Sequence, residues 1–272
     1  MLIMRKLVAA VLFHNGKYLI LKRKLHWKGW EFVKGNIDHE GYRKAVLREV
    51  REETGLKKVK IVCQLPPEIF YRHENIRGHT TSMQKSFFVE YISGHVRPSF
   101  EHGGFTWVDK KTAEKLLTHT SHKTFLRAAD KYVRDAEKKR KKELMAALSK
   151  KHVTLVRFNG KRISLKYDGR KLSNLVVKKR VKDVGGWSYK KNVVYYDKDL
   201  EKPEIIPLLI HETVEKHVSQ TYHLDEDTEA HKVAQSVERE FVADKAWIRL
   251  AKMVSKDWVK ANKQKIGKSK FY

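Results

Sequence analysis

Residues 34–56 read KGNIDHEGYRKAVLREVREETGL. Ala45, Val46 and Val50 recur at helical spacing, and Gly55 stands where a helix C-terminus favours glycine, so the pattern predicts a helix over 40–54. Glu49, Glu52 and Glu53 fall at i, i+3 and i+4 and project from one face of it. Clustered carboxylates repel one another, whereas hard cations such as Mg²⁺ take several oxygen ligands. Arg48 and Arg51 flank the cluster. Gly35 precedes the helix, where a backbone carbonyl can turn toward the same metal. Glu40 lies at the helix start, about two and a half turns before Glu49.

Working outward, residues 4–24 read as a strand, a tight turn at Asn15-Gly16 and a second strand. The segments 59–65, 84–92 and 105–109 read as strands, with the polar IFYRHENIRGHTTSM as a loop or hairpin between the first two. KTAEKLLT and HKTFLRAADKYV read as helices, completing a sheet with helices on either face near residue 133. Residues 134–152 hold eight Lys/Arg against three Asp/Glu, without Pro or Gly, and read as a basic helical linker. VTLVRFNGKRISLKYD then reads as a hairpin around Asn159-Gly160, and NLVVKKRV and NVVYYD as strands. From Pro207 the pattern turns helical, in PLLIHETVEKHVSQ and TEAHKVAQSVEREFVADKAW, and ends in a lysine-rich tail. The expected division is a domain over 1–133, a linker over 134–152 and a second domain over 153–272.

The 272 residues suit two modest domains, and 41% apolar content argues against wholesale disorder. One cysteine, Cys63, excludes an internal disulfide framework and fits a reducing compartment, giving the expectation of a cytoplasmic protein. No stretch approaches the roughly 18 apolar residues that read as a membrane span, and MLIMRKLVAAVLF reads as a strand rather than a signal peptide. The net charge of +27, from 59 Lys/Arg and 32 Asp/Glu, favours polyanionic partners. The linker and tail are the places for an RNA contact.

Arg48-Glu49-Val50-Arg51-Glu52-Glu53-Thr54-Gly55-Leu56 resembles the core of the Nudix box, and Glu40 stands eight residues before Arg48, as that box requires. Gly35 departs from it, with four residues instead of five between it and Glu40. The resemblance spans roughly residues 4–133. It implies an α/β/α sandwich and attack of water on a phosphoanhydride of a nucleotide. It implies metal ligation by Glu49, Glu52 and Glu53, with the Gly35 carbonyl as a further ligand, and an Arg48 that orients a glutamate. Mg²⁺ or Mn²⁺ is the cofactor so implied. Glu101, six residues before Trp107, is similar to a glutamate that serves as ligand or base in diadenosine tetraphosphate hydrolases and RNA 5′-pyrophosphohydrolases. HWKGWEFVKG (26–35) resembles their approach to the box, with Lys34 placed for phosphate. Glu40 and Lys85 join Lys34 as candidate substrate contacts. Phe70, Tyr71 and Phe87 are candidates to stack on a base.

A second constellation lies in IIPLLIHETVEKH (205–217). His211 and Glu215 at i and i+4 share a face, and His231 and Glu238 lie two turns apart on the next helix. Two antiparallel helices can bring these groups around one metal. The segment resembles zincin-like domains with an HExxE helix. That resemblance implies Zn²⁺ at His211, Glu215 and His231, Glu212 as a possible base, and a smaller α+β fold. The alternative is a buried hydrogen-bonded network.

The expected activity is phosphoanhydride hydrolysis of nucleoside polyphosphates, dinucleoside polyphosphates foremost. RNA 5′-end pyrophosphohydrolysis is the alternative. A zinc peptidase activity and a non-catalytic polyanion-binding module are more distant readings.

Overall fold

The computed structural model describes residues 4–75, 78–179 and 184–241. The chain divides into two compact units, residues 1–137 and 138–272. Among the described residues no helix is long and apolar enough to cross a membrane.

In the first unit, β1 (Met4–His14) turns at Asn15-Gly16 into β2 (Lys17–Arg23). Both turn residues have positive φ, 46° and 76°, as a tight two-residue hairpin requires. β3 (Gly29–Glu31) and β4 (Val33–Asn36) follow, then helix α1 (Tyr42–Thr54). β5 (Lys58–Asn75) and β6 (Gly78–Ser93) form a long hairpin, so most of the stretch expected as loop or hairpin is strand. β7 (His102–Val108) precedes α2 (Lys110–Leu116) and α3 (Thr120–Ser149). The sheet runs β3-β2-β1-β6-β5, with β4 on β1 and β7 on β2. β1 lies parallel to β6, and its side chains alternate between two cores. Val8, Ala10 and Leu12 pack with Ala45, Val46 and Val50 of α1. Ala9 and Val11 pack on the other side with Ala113, Phe125, Leu126 and Ala129 of α2 and α3. A strand buried on both faces explains the near-continuous apolar run LVAAVLF.

In the second unit the sheet order is β11-β12-β10-β9-β8. β8 is Val153–Phe158, β9 Arg162–Tyr167, β10 Arg170–Lys179, β11 Gly185–Trp187 and β12 Val193–Asp197. A second tight turn at Asp168-Gly169, φ 48° and 72°, joins β9 to β10. α4 (Lys202–Tyr222) starts five residues before the expected Pro207, because Glu201 and Glu204 form a reciprocal capping box. Pro207 is therefore inside the helix and removes one ladder bond. Asp225 caps a π-type turn over Glu226–Ala230, which runs into α5 (His231–Glu238). Leu209, Ile210, Val214 and Val218 of α4 pack with Ile163, Leu165, Val233 and Ala234 in one core. The lysine-rich tail lies outside the described residues.

Candidate active site

α1 carries the carboxylates because its apolar stripe docks on β1 while the adjacent face looks toward the strand β4. Val8 is paired with Gly35 of β4 on one side and Lys85 of β6 on the other, so these three stand in one row across the sheet. A Cβ on Gly35 would lie 1.9 Å from the Glu49 carboxylate carbon, so only glycine leaves room for that side chain. The neighbouring Lys34 N–H donates to Glu53 Oε2 at 3.2 Å. Two buried carboxylates thus converge on the backbone of residues 34–35 from one helix face. Glu52 is more exposed and is reached by Arg48.

Arg48 ties the box together. Its Nη1 donates to Glu49 Oε1 at 2.7 Å and to Glu52 Oε2 at 3.0 Å. Its Nε donates to Glu40 Oε1 at 2.8 Å and its Nη2 to the Asn36 carbonyl at 2.7 Å. Glu40, expected as a substrate contact, is paired with Arg48 in this structure. Burial raises the Glu49 carboxyl above its usual range despite Arg48. Burial, reinforced by nearby Glu31, pushes Glu53 up to about 9. Deeply buried acids facing one another ask for a cation, and an all-carboxylate donor set in a glycine-lined cradle suits a hard divalent ion. The residues present thus fit Mg²⁺ or Mn²⁺.

A second layer carried no spacing signal. Glu31, fully buried on β3, lies 3.2 Å from Arg23 Nη1, 2.8 Å from Lys34 Nζ and 3.3 Å from His102 Nε2. Burial alone would raise its carboxyl, but His102 and Lys34 outweigh it and hold the group at about 2. Arg23 also pairs with Glu101 at 2.9 Å, so one guanidinium joins Glu31 to Glu101. A glutamate inside the apolar run WEFV was the one visible hint of Glu31.

The other expected residues fall as follows. Lys34 pairs with Glu31 and lies over the Trp27 ring at 5.3 Å. Lys85 faces α1, pairing with Glu68 at 2.7 Å and covering the Tyr42 ring at 4.7 Å. The Tyr71 hydroxyl donates to Gln84 Oε1 at 2.6 Å. Phe87 is core, which removes it as a stacking surface, whereas Phe70 is exposed.

His122 supports this site from behind. Its Nδ1 accepts the Phe32 N–H at 3.0 Å, fixing the chain between Glu31 and Lys34. Burial, with nearby Lys34 adding to it, holds its imidazole down at about 3. The unfolded chain binds this proton below about 6.5, while the folded chain refuses it until about 3. Stability from this group is complete above 6.5 and falls by up to about 1.4 kcal/mol per pH unit as acid is added. Melting of the parent should drop between pH 7 and pH 5 more steeply than that of His122→Asn. Parallel melting curves would show that folding does not hold the His122 imidazole below its ordinary range.

In the second unit, His211 Nε2, Glu215 Oε2 and His231 Nδ1 come together, all within 4.8 Å. Glu238 lies behind them, 2.8 Å from His211 Nδ1. Burial alone would lower the His211 imidazole, but Glu215 and Glu238 raise it to about 10. Glu212 is buried and packs against Gly185, where a Cβ would stand 2.5 Å from its Oε1. Burial pushes its carboxyl upward.

The family model of the NUDIX domain matches residues 4–129. No curated protein matches the chain. Among solved structures, an Ap4A hydrolase of C. elegans is 20% identical, with TM-score 0.43, covering 48% of this chain and 98% of its own. A MutT protein of Methanosarcina mazei is 20% identical, TM-score 0.39, over 50% of this chain and 96% of its own. The NUDIX domain of NrtR from Shewanella oneidensis, solved with ADP ribose, is 19% identical, TM-score 0.40, over 49% and 90%. Scores this low carry no weight beside the family match and the box geometry. The carboxylates gathered on α1, the arginine that binds them and the match over 4–129 agree: residues 4–129, a little under half of the chain, match the NUDIX domain.

Proposed function

We propose that residues 4–129 hydrolyse a phosphoanhydride bond of a nucleoside polyphosphate, with dinucleoside polyphosphates as the substrate class. The observation that supports this most is the pair of buried carboxylates, Glu49 and Glu53, closing on the backbone of Lys34 and Gly35. Glu49, Glu52 and Glu53 would hold Mg²⁺ or Mn²⁺, with the Gly35 carbonyl beside them. When bound, the cation neutralises phosphate charge and lowers the pKa of water. Arg48 keeps Glu49 and Glu52 aimed by donating to both. Glu101 shares Arg23 with Glu31, whose charge acts on Glu53, and we assign Glu101 proton acceptance from the attacking water. Lys34 and Lys85 supply positive charge for phosphate, each leaving a carboxylate partner to do so. Phe70, exposed on β5, offers a ring face for a base, and Tyr71, on the opposite face of that strand, is the alternative.

The +27 charge favours a second reading, hydrolysis at RNA 5′ ends. Lys138–Lys142 of α3 are exposed and suit a phosphate backbone. Diadenosine tetraphosphate and 5′-triphosphorylated RNA, each assayed at low and moderate salt, separate the two. A dinucleotide enzyme prefers the first substrate and keeps its KM as salt rises. An RNA enzyme prefers the second and loses affinity steeply, by counterion release. Turnover of neither would remove both. The zincin-like, α+β reading of residues 153–272 stands apart from this activity, and nothing among the described residues of that unit favours peptide hydrolysis in particular.

A further inference from the structure

The three ligating atoms in the second unit form a closed triangle. His211 Nε2 is 3.0 Å from Glu215 Oε2 and 3.0 Å from His231 Nδ1, and His231 Nδ1 is 2.9 Å from Glu215 Oε2. Hydrogen bonds cannot satisfy all three edges while the carboxylate is ionised. If both imidazole atoms carry protons, each can donate to Glu215, but the His211–His231 edge then sets donor against donor. If only one carries a proton, the other imidazole lone pair faces the carboxylate lone pair. Glu238 tightens the conflict. Its Oε2 sits 2.8 Å from His211 Nδ1, where it takes that proton, so that a cation displacing the Nε2 proton meets the Nε2 lone pair pointing into the triangle.

We propose that the second unit binds one Zn²⁺ ion at His211 Nε2, His231 Nδ1 and Glu215 Oε2, with the fourth tetrahedral position open to water. A cation at the centre satisfies three lone pairs at once. Ligand bonds of about 2.1 Å place it about 1.2 Å off the plane of the triangle, and ideal tetrahedral edges need the three atoms to spread by only about 0.4–0.5 Å. Two imidazoles and one carboxylate favour zinc over magnesium or calcium, which take oxygen shells.

The surroundings are those of a built site. Trp187 Nε1–H donates to Glu215 Oε1 at 3.0 Å, fixing that oxygen so that Oε2 faces the histidines. Glu238 acts as the carboxylate behind a metal-bound histidine, setting its tautomer and orientation. Its other oxygen, Oε1, is buried with no hydrogen-bond partner among the described residues. His211 and Glu215 are held by the buried middle of α4, and His231 stands at the head of α5, where its side chain is 41% exposed. The exposed side of His231 is the way in for the ion and for water. The inference concerns different residues from the Nudix carboxylates and does not depend on their activity.

The test uses the full chain, stripped with a chelator and dialysed. Excess Mg²⁺ is present throughout to fill oxygen-only sites. Addition of Co²⁺ should give the intense visible bands of a four-coordinate ion, and Zn²⁺ should bleach them at one equivalent. Elemental analysis after dialysis should find one Zn²⁺ per chain, and Zn²⁺ should raise the melting temperature. His231→Gln, at a partly exposed position, should fold and lose the bands. Glu238→Gln, a positioning change, should keep the bands and weaken affinity by about 10–100-fold. Absence of the bands and of stoichiometric zinc in the parent would overturn the proposal. Equal zinc retention by His231→Gln and Glu215→Gln would also overturn it.

Discussion

Glu53→Gln should leave the chain folded and slow Mg²⁺-dependent hydrolysis of diadenosine tetraphosphate by about 10³-fold or more. A metal-held phosphoryl oxygen is worth several kcal/mol of transition-state stabilisation, and each 1.36 kcal/mol is tenfold in rate. The fold should survive because Glu53 is buried and its carboxyl is pushed up to about 9, so the neutral form is the one that folding prefers. Gln copies that neutral form, and its carbonyl oxygen can still accept the Lys34 N–H. Melting at neutral pH should therefore stay level or rise while turnover collapses. Turnover within tenfold of the parent would take Glu53 out of the metal set.

Gly35→Ala should separate stability from activity in the same direction. The new Cβ would stand 1.9 Å from both Cδ and Oε1 of Glu49, well inside contact distance. The atoms in its way are the far end of a flexible side chain, so Glu49 can swing aside at modest cost to folding. It cannot do so and keep its place beside Glu53. Melting should change by no more than about 1–2 kcal/mol, within the ordinary range for one substitution. Half-saturation with Mg²⁺ should move at least tenfold higher and turnover should fall. An unchanged Mg²⁺ activation curve would show that Glu49 works from some other position. The one-residue-short spacing from Gly35 to Glu40 is compatible with this contact, since Gly35 pairs with Val8 and meets Glu49 from the strand, not from the turn.

What the sequence made legible follows from how local each signal is. The helix α1 is announced by Ala45, Val46 and Val50 and by Gly55, whose φ of 70° ends it. The same 3.6-residue period puts Glu49 and Glu53 on one face without any knowledge of the sheet. His211 and Glu215 are legible for the same reason, and the two-turn spacing of His231 and Glu238 made their meeting a fair expectation. The Glu31–Arg23–Glu101 set was hidden, because it depends on cross-strand register. Leu21 pairs with Glu31 and Arg23 with Gly29, and no pattern along one strand gives that pairing. Trp187 was hidden likewise, being a three-residue edge strand's contribution to a helix far along the chain. The early start of α4 was obscured by Pro207, whose expected place at a helix entrance is taken by the Glu201–Glu204 capping box. Asp168-Gly169 obeys the same rule as Asn159-Gly160, with β9 ending on Tyr167 just before it.

The burial of Glu53 gives the site a proton ledger. With its carboxyl pushed up to about 9, this side chain carries a proton at neutral pH in the absence of a cation. Ligation requires the carboxylate, so each loading event must expel close to one proton into the solvent. The heat of a magnesium titration then includes the ionisation heat of whatever buffer receives that proton, and phosphate and Tris will report different apparent enthalpies for the same binding. Occupancy at a fixed magnesium concentration also becomes a function of acidity. A shift of one pH unit downward weakens apparent affinity about tenfold, although no residue that contacts the nucleotide has changed its charge.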